Sequence, residues 1–298
     1  MSSNSTTQRR RGRPSSKLQS TSSVKKGVIE TPSDPIHVIE ASFDAPIAFK
    51  YMFSYFKSVK STDIHILFKH DQIVFLTRDA KKSNIIIARV NGNLLNSYYC
   101  EKEITIGITR SKVEKIFSSI DKSITSIDLY MCSSNSSKLH ISFGDQEVEK
   151  RSVYKINTAG LDDDPDLIEK ESSLDFDYPV SFTLPSKKFK KSISDINNFS
   201  ERASFCVNGE KLLVKYDKPE LNYSETYTSN AKIKLTSTVP IDQDFTCQFA
   251  VPNMKSLASS VVTDETKISC KDNGEILLES DICNGVIIIH TLVISKID

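Results

Sequence analysis

Residues Pro185–Phe199 read PSKKFKKSISDINNF. Phe189, Ile193 and Ile196 recur at helical spacing and form one apolar stripe, while Lys187, Lys188, Lys190 and Lys191 crowd the other side of the opening turns. Alone, such a segment is an ordinary solvated surface helix. It gains meaning because it recurs. Pro46–Val59 puts Phe49, Met52, Phe53, Phe56 and Val59 on one side, flanked by Lys50, Lys57 and Lys60. Arg110–Ile120 places Val113, Ile116, Phe117 and Ile120 at i, i+3, i+4, i+7, with Arg110, Lys112 and Lys115 off the stripe. Pro252–Val262 gives Met254, Leu257, Ala258 and Val261 at the same spacing, beside Lys255. The four starts fall near residues 46, 110, 186 and 252, so the first and third, and the second and fourth, lie about 140 residues apart. The chain is an internal duplication.

A chain of 298 residues suffices for two domains with separate cores. Its net charge of +1 hides an asymmetry: residues 1–32 carry Arg9, Arg10, Arg11, Arg13, Lys17, Lys25 and Lys26 against Glu30, a balance of +6, which leaves −5 on the rest. The first 35 residues offer almost nothing to bury and read as a disordered basic arm. Within it, Arg11-Gly12-Arg13-Pro14 resembles an AT-hook core, in which glycine lets the backbone approach a narrow A·T minor groove and the guanidinium groups enter it. A generic basic arm or nuclear-import signal is the alternative. The six cysteines lack CxxC spacing and lie in or beside apparent strands, so they read as buried or part-buried free thiols in a reducing compartment. With no apolar signal core and no spanning apolar run, the expectation is a soluble intracellular protein with no membrane partner.

From Ile36 the pattern is strand, helix, several strands, repeated. Residues 36–158 form one such domain and 179–298 a second, and AGLDDDPDLIEKESSLDFDYP between them reads as a surface connector over 159–178. Nothing in this pattern is catalytic. His37, His65, His70, His140 and His290 stand singly, and there is no phosphate loop, GxSxG or HExxH. Asp162, Asp163, Asp164 and Asp166 lack EF-hand spacing. No enzyme, metal or cofactor is expected.

Two βαβββ-type repeats per half, an acidic connector and a basic helix in each repeat resemble the proliferating cell nuclear antigen (PCNA) family of DNA sliding clamps. Tyr99-Cys100-Glu101, then Ile106-Gly107-Ile108 entering the Arg110 helix, is similar to the clamp's first-domain segment. Ala231–Leu235 is similar to a second-domain edge strand, and Ser295–Asp298 to the C-terminal tail. The basic arm, Leu257-Ala258-Ser259 and Val262-Thr263-Asp264 bring the resemblance closest to the PCNA-like branch found in African swine fever virus and related large DNA viruses.

The resemblance implies an α+β DNA-clamp fold, with antiparallel sheets outside and basic helices lining a hole for duplex DNA. It implies a viral processivity factor in a homotrimeric ring, with a clamp loader to open it, which tethers DNA polymerase and repair enzymes, in the host cytoplasm and nucleus. Ten of the eleven basic residues named on the four segments are lysines, flexible point charges that follow phosphates without fixing a register, so they favour sliding. The DNA-binding candidates are those eleven plus Arg9, Arg10, Arg11 and Arg13. By resemblance, Lys138–Phe143 and Ala231–Thr236 are the edges that join subunits, through Leu139, Ile141, Phe143, Ile233 and Leu235. Leu161, Leu167, Ile168, Leu292, Val293 and Ile294 would line a pocket for a partner's peptide. Ser295 and Thr263-Asp264 stand where the cellular family has prolines. A monomeric or dimeric clamp-fold subunit holding DNA electrostatically, or an AT-hook architectural protein, are the alternatives.

Overall fold

The computed structural model describes residues 37–145, 148–159, 165–174, 176–218, 220–240 and 243–294. The candidates Arg9, Arg10, Arg11, Arg13 and Leu161 and the tail Ser295–Asp298 lie outside them. In the first half, β1 (His37–Phe43) leads into α1 (Pro46–Ser58), then β2 (Asp63–Phe68), β3 (Gln72–Arg78) and β4 (Asn84–Asn91). After a 3-10 turn come β5 (Ser97–Cys100), β6 (Ile104–Thr109), α2 (Arg110–Ser118), β7 (Ser126–Cys132), β8 (Asn135–Asp145) and β9 (Lys150–Asn157). The connector holds a short helix, α3 (Pro165–Ser172). The second half repeats the order: β10 (Val180–Pro185), α4 (Ser186–Asn197), β11 (Arg202–Asn208), β12 (Lys211–Lys218), β13 (Leu221–Thr228), β14 (Lys234–Ser237) and β15 (Phe245–Ala250). It ends with α5 (Val251–Ser260), β16 (Glu265–Cys270), β17 (Glu275–Ile282) and β18 (Ile287–Ile294).

All strand pairings are antiparallel, and the halves use the same plan. The first half makes a five-stranded sheet β5-β1-β7-β8-β9 and a four-stranded array β4-β3-β2-β6; the second makes β14-β10-β16-β17-β18 and β13-β12-β11-β15. Pairing of β18 with β4, from Ile287↔Val90 to Val293↔Asn84, fuses two of these arrays into one nine-stranded sheet. In the duplication, β9 corresponds to β18 and β13 to β4.

The apolar stripes seat the helices as their spacing predicts. Phe49, Met52, Phe53 and Phe56 of α1 are fully buried, each burial stabilising the fold by about 1.5–3 kcal/mol. Phe117 of α2 stacks on Phe53 with ring centres 4.3 Å apart and on Phe49 at 5.6 Å. Pro46 opens α1, where a missing N–H costs nothing. The helices form a row in which α2 packs on α1, α1 on α5 and α5 on α4. At its centre, Ser256 Oγ donates to Ser58 O (2.8 Å), Ser54 Oγ to Ser260 O (3.2 Å) and Val262 N to the Tyr55 hydroxyl (3.2 Å).

Lys138–Phe143 is not an edge. It lies in β8, between β7 and β9, and Leu139, Ile141 and Phe143 are core residues. Their alternation reflects a strand with one face on the core, which interior and edge strands share. In the second half, Ala231–Ile233 forms a turn and the strand begins at Lys234; β14 is an edge, but Ile233 is buried and Leu235 packs inward. All six cysteines are free; Cys283, expected to be at least part-buried, is exposed in the β17–β18 turn. No described helix is long and apolar enough to cross a membrane.

Candidate nucleic-acid interface

The row α2-α1-α5-α4 collects the basic residues of all four segments. The acids on these helices are Glu114 and Asp195. Glu114 pairs with Arg110 (3.4 Å), and Asp195 lies 3.7 Å from exposed Lys191. Lys57, Lys60, Lys112, Lys115, Lys187, Lys188 and Lys255 are exposed, Lys190 is half-buried, and none has an acidic partner within ion-pair distance among the described residues. Each helix's apolar stripe faces the sheets, so the polar sides are left with a strong excess of mobile positive charge.

Two candidates are spent internally. The Arg110 guanidinium donates to Phe56 O (3.2 Å) and Val59 O, closing the C-terminal end of α1. Lys50 Nζ donates to Ile120 O (2.7 Å), tying α1 to the segment after α2. Spacing alone reports which side of a helix a long side chain leaves, not the carbonyl it reaches.

The open strand edges are a second feature. β18 covers β4, whereas among the described residues the corresponding strands β9 and β13 pair on one side only. β9 is exposed along most of its length, Val153 and Tyr154 included, and β13 likewise, with Leu221 exposed. Lys150, Lys155 and Arg151, the last paired with Asp128 (2.9 Å), make β9 basic; on β13 the one acid, Glu225, is half-buried and accepts from Ser192 Oγ (2.5 Å) and Tyr223 Oη (3.1 Å), with exposed Glu220 beside the strand. Sequence reasoning passed over them because they are polar; matching β9 to β18 and β13 to β4 through the duplication finds them.

No protein-family model matches the chain. Protein E301R of African swine fever virus is 35% identical to it over 277 residues, covering 91% of this chain and 92% of E301R. The chain belongs to the E301R family of PCNA-like proteins. Proliferating cell nuclear antigen 2 of Plasmodium falciparum is 22% identical over 224 residues, covering 74% of this chain and 82% of that protein. The crystal structure of PCNA from Entamoeba histolytica matches with a TM-score of 0.71 at 15% identity, over 88% of this chain and 100% of that one. The fold is therefore the clamp fold.

The sheet face under the connector of this E301R-family chain carries the remaining candidates. Leu167 of α3 is buried there with Leu292, over Leu67, Val74, Leu76, Ile85, Ile87 and Leu277. Ile168 and Ile294 sit half-buried at the margin. Val293 does not belong to this face: strand alternation turns it into the main core. α3 is clamped down by Glu171, which is buried and accepts from Lys69 Nζ (2.7 Å) and Arg89 (3.1 Å). Arg89 also contacts His290 (3.0 Å), whose other ring nitrogen lies 3.5 Å from Glu279. The His290 contact and Lys267 outweigh burial in holding the Glu279 carboxyl below its ordinary value. Further along, Tyr178 donates to Glu275 (2.9 Å) and Lys271 lies over its ring. The connector thus fills the apolar strip with its own side chains.

Proposed function

We propose that this protein is a DNA sliding clamp. Copies join head to tail, β9 of one against β13 of the next, until a ring of three closes; the helix row faces the hole and duplex DNA passes through it. One observation carries the reading: the chain contains one closed junction, β4 with β18, and among the described residues leaves the corresponding strands of the other junction, β9 and β13, paired on one side only. The helix row continues in the same way, since α1 on α5 within the chain corresponds to α4 on α2 between copies. The lysines attract phosphates without reading bases, which permits sliding.

In this reading, residues 36–158 and 179–298 are the two clamp domains, 159–178 the connector, and residues 1–35 a basic arm adding a separate DNA contact. The outer face tethers a DNA polymerase and repair enzymes, and the protein itself performs no chemistry.

Encirclement is mechanical, so it survives salt that screens phosphate contacts. Protein loaded on circular duplex should remain after a high-salt wash and leave once the circle is cut. Equal release by salt from loaded circles and from linear DNA would replace the ring by an electrostatic, surface-bound mode.

A further inference from the structure

The duplication fills one place in the first half and leaves its counterpart open in the second. In the first half the β2–β3 hairpin closes through Lys69–Gln72, and the 3-10 turn after β4 begins at Gly92, whose N–H donates to Asp71 O (2.8 Å). Six residues on, Tyr98 of the edge strand β5 lays its ring against both. A Cβ on Gly92 would meet that ring at 2.5 Å, and the hydroxyl lies within hydrogen-bonding reach of Lys69 O (2.5 Å) and Gln72 O (3.1 Å).

The same walls return in the second half in the same order. The β11–β12 hairpin closes through Asn208–Lys211, Ser229 N donates to Glu210 O (3.4 Å), and six residues beyond Ser229 the edge strand β14 carries Leu235 where β5 carries Tyr98. Leucine is too short to reach the hairpin carbonyls, and a cavity of about 350 Å³ is left, with Val207, Gly209, Leu235 and Val239 in its lining. An apolar cavity of about 150 Å³ already holds benzene, so this one has room for a phenol ring. Ser229, in the place of Gly92, turns its Oγ into its own loop and donates to Ile233 O (3.3 Å).

The setting indicates what brings the ring. Among the described residues β14 pairs with β10 alone, so an added strand can continue the sheet. A side chain opposite Leu235 on that strand shares its face and points into the cavity. Lys232, just before β14, and Lys234, within it, are exposed with no acidic partner among the described residues, which favours an acidic strand; Glu210 is the acid in the cavity lining. The rest of this chain does not supply the ring, because the residues outside those described contain no Phe, Tyr or Trp.

We propose that this edge docks an extended, acidic segment of another protein, which pairs with β14 and seats a tyrosine in the cavity with its hydroxyl toward Asn208 O and Lys211 O. The inference goes beyond the clamp reading and does not depend on it.

Two probes test it on the intact protein. Millimolar 4-ethylphenol, the tyrosine side chain alone, should shift the methyl resonances of Val207, Leu235 and Val239 and leave those of Val153 in place. A labelled, capped peptide of alternating threonine and valine, with a central tyrosine and acidic ends, should bind by fluorescence anisotropy. Alanine for its tyrosine should weaken binding roughly 10-fold, and Lys232→Glu with Lys234→Glu in the protein several-fold. Leu235→Tyr with Ser229→Gly rebuilds the first-half arrangement and should abolish both signals; Val239→Phe, which closes the cavity from another wall, should do the same if the rebuilt turn misfolds. Absence of methyl shifts in the wild type would overturn the cavity as a ring site, and shifts seen only in Ile241→Ala would mean that the chain fills it itself. Peptide binding that ignores the tyrosine, persists in the filled variants or is equal with basic ends would overturn the docking assignment.

Discussion

The closed junction and the open one occupy equivalent places in the duplication, yet their strands differ in kind. β4 (NIIIARVN) and β18 (IIIHTLVI) are buried along most of their length, because α1 and α5 cover one face and the connector the other. β9 (KRSVYKIN) and β13 (LNYSETYT) each bury one residue, Ile156 and Tyr227. The first pair never separates, being parts of one chain. In the proposed ring the second pair must exist apart before it meets, and an apolar edge would aggregate in that state. Charge and hydroxyl groups keep such an edge soluble, while opposite signs still select the partner. In the proposed ring the same architecture would give one permanent seam and one reversible seam, with strand composition as the difference.

The contrast is sharpest one strand inward. Phe143 of β8 is buried against Phe117 and Tyr154, so Phe143→Asp places an unpaired charge in the core and should cost about 3–5 kcal/mol. Chemical denaturation should show a destabilised or unfolded chain. A fully stable monomer that had lost only self-association would make β8 the working edge and reverse the comparison.

The closed seam has a further brace, the connector. Glu171→Ala removes the carboxylate shared by Lys69 and Arg89; because both cations remain partly open to solvent, the loss should be nearer about 2 kcal/mol than the full cost of a buried broken pair. Hydrogen exchange in α3 should rise more than in the strands beneath it. Uniform exchange across α3 and β18 would mean that the latch does not hold the helix separately.

At the open seam the effect should fall on association. Val153→Asp with Lys155→Glu changes exposed β9 positions, so stability should move by no more than about 0.5 kcal/mol for each. Self-association, followed by sedimentation, should weaken by roughly 10-fold or more, since like charges then meet across β9 and β13. Unchanged association would remove β9 from the interface.

The halves, the four long helices and most strands were legible in the sequence because periodicity reports burial, and the duplication supplied each pattern twice. Edges were not legible that way. Leu139, Ile141 and Phe143 alternate because one side of β8 meets the core, and alternation carries no word of what lies beside a strand. α3 was hidden for another reason: PDLIEKES is too short and acidic to be helical on its own, and Leu167 and Glu171, one turn apart, hold it through contacts distant in sequence. Of the site, the charge was readable; the fates of Arg110 and Lys50 were not, since their partners are backbone carbonyls on other elements.

The smallest effect belongs to the turn that leads into β4. Burial alone would raise the Asp79 carboxyl, but the hydrogen bonds from Ser83 and Asn84 outweigh it and hold the group below its ordinary value of 3.8. A carboxyl depressed in the folded state contributes stability above its unfolded value and loses it as pH falls through the folded one. Because the group is partly open to solvent, that contribution should stay below about 1 kcal/mol. Asp79→Asn keeps the shape and removes the charge, and its amide sets one donor against the donor of Asn84. The stability gap between wild type and this variant should be constant from neutral pH down to about pH 5 and should narrow below 3.8 as the wild-type carboxyl protonates. A gap that stays constant through that range would show that the turn is held by shape alone, and the closed seam would then owe nothing to charge at its entrance.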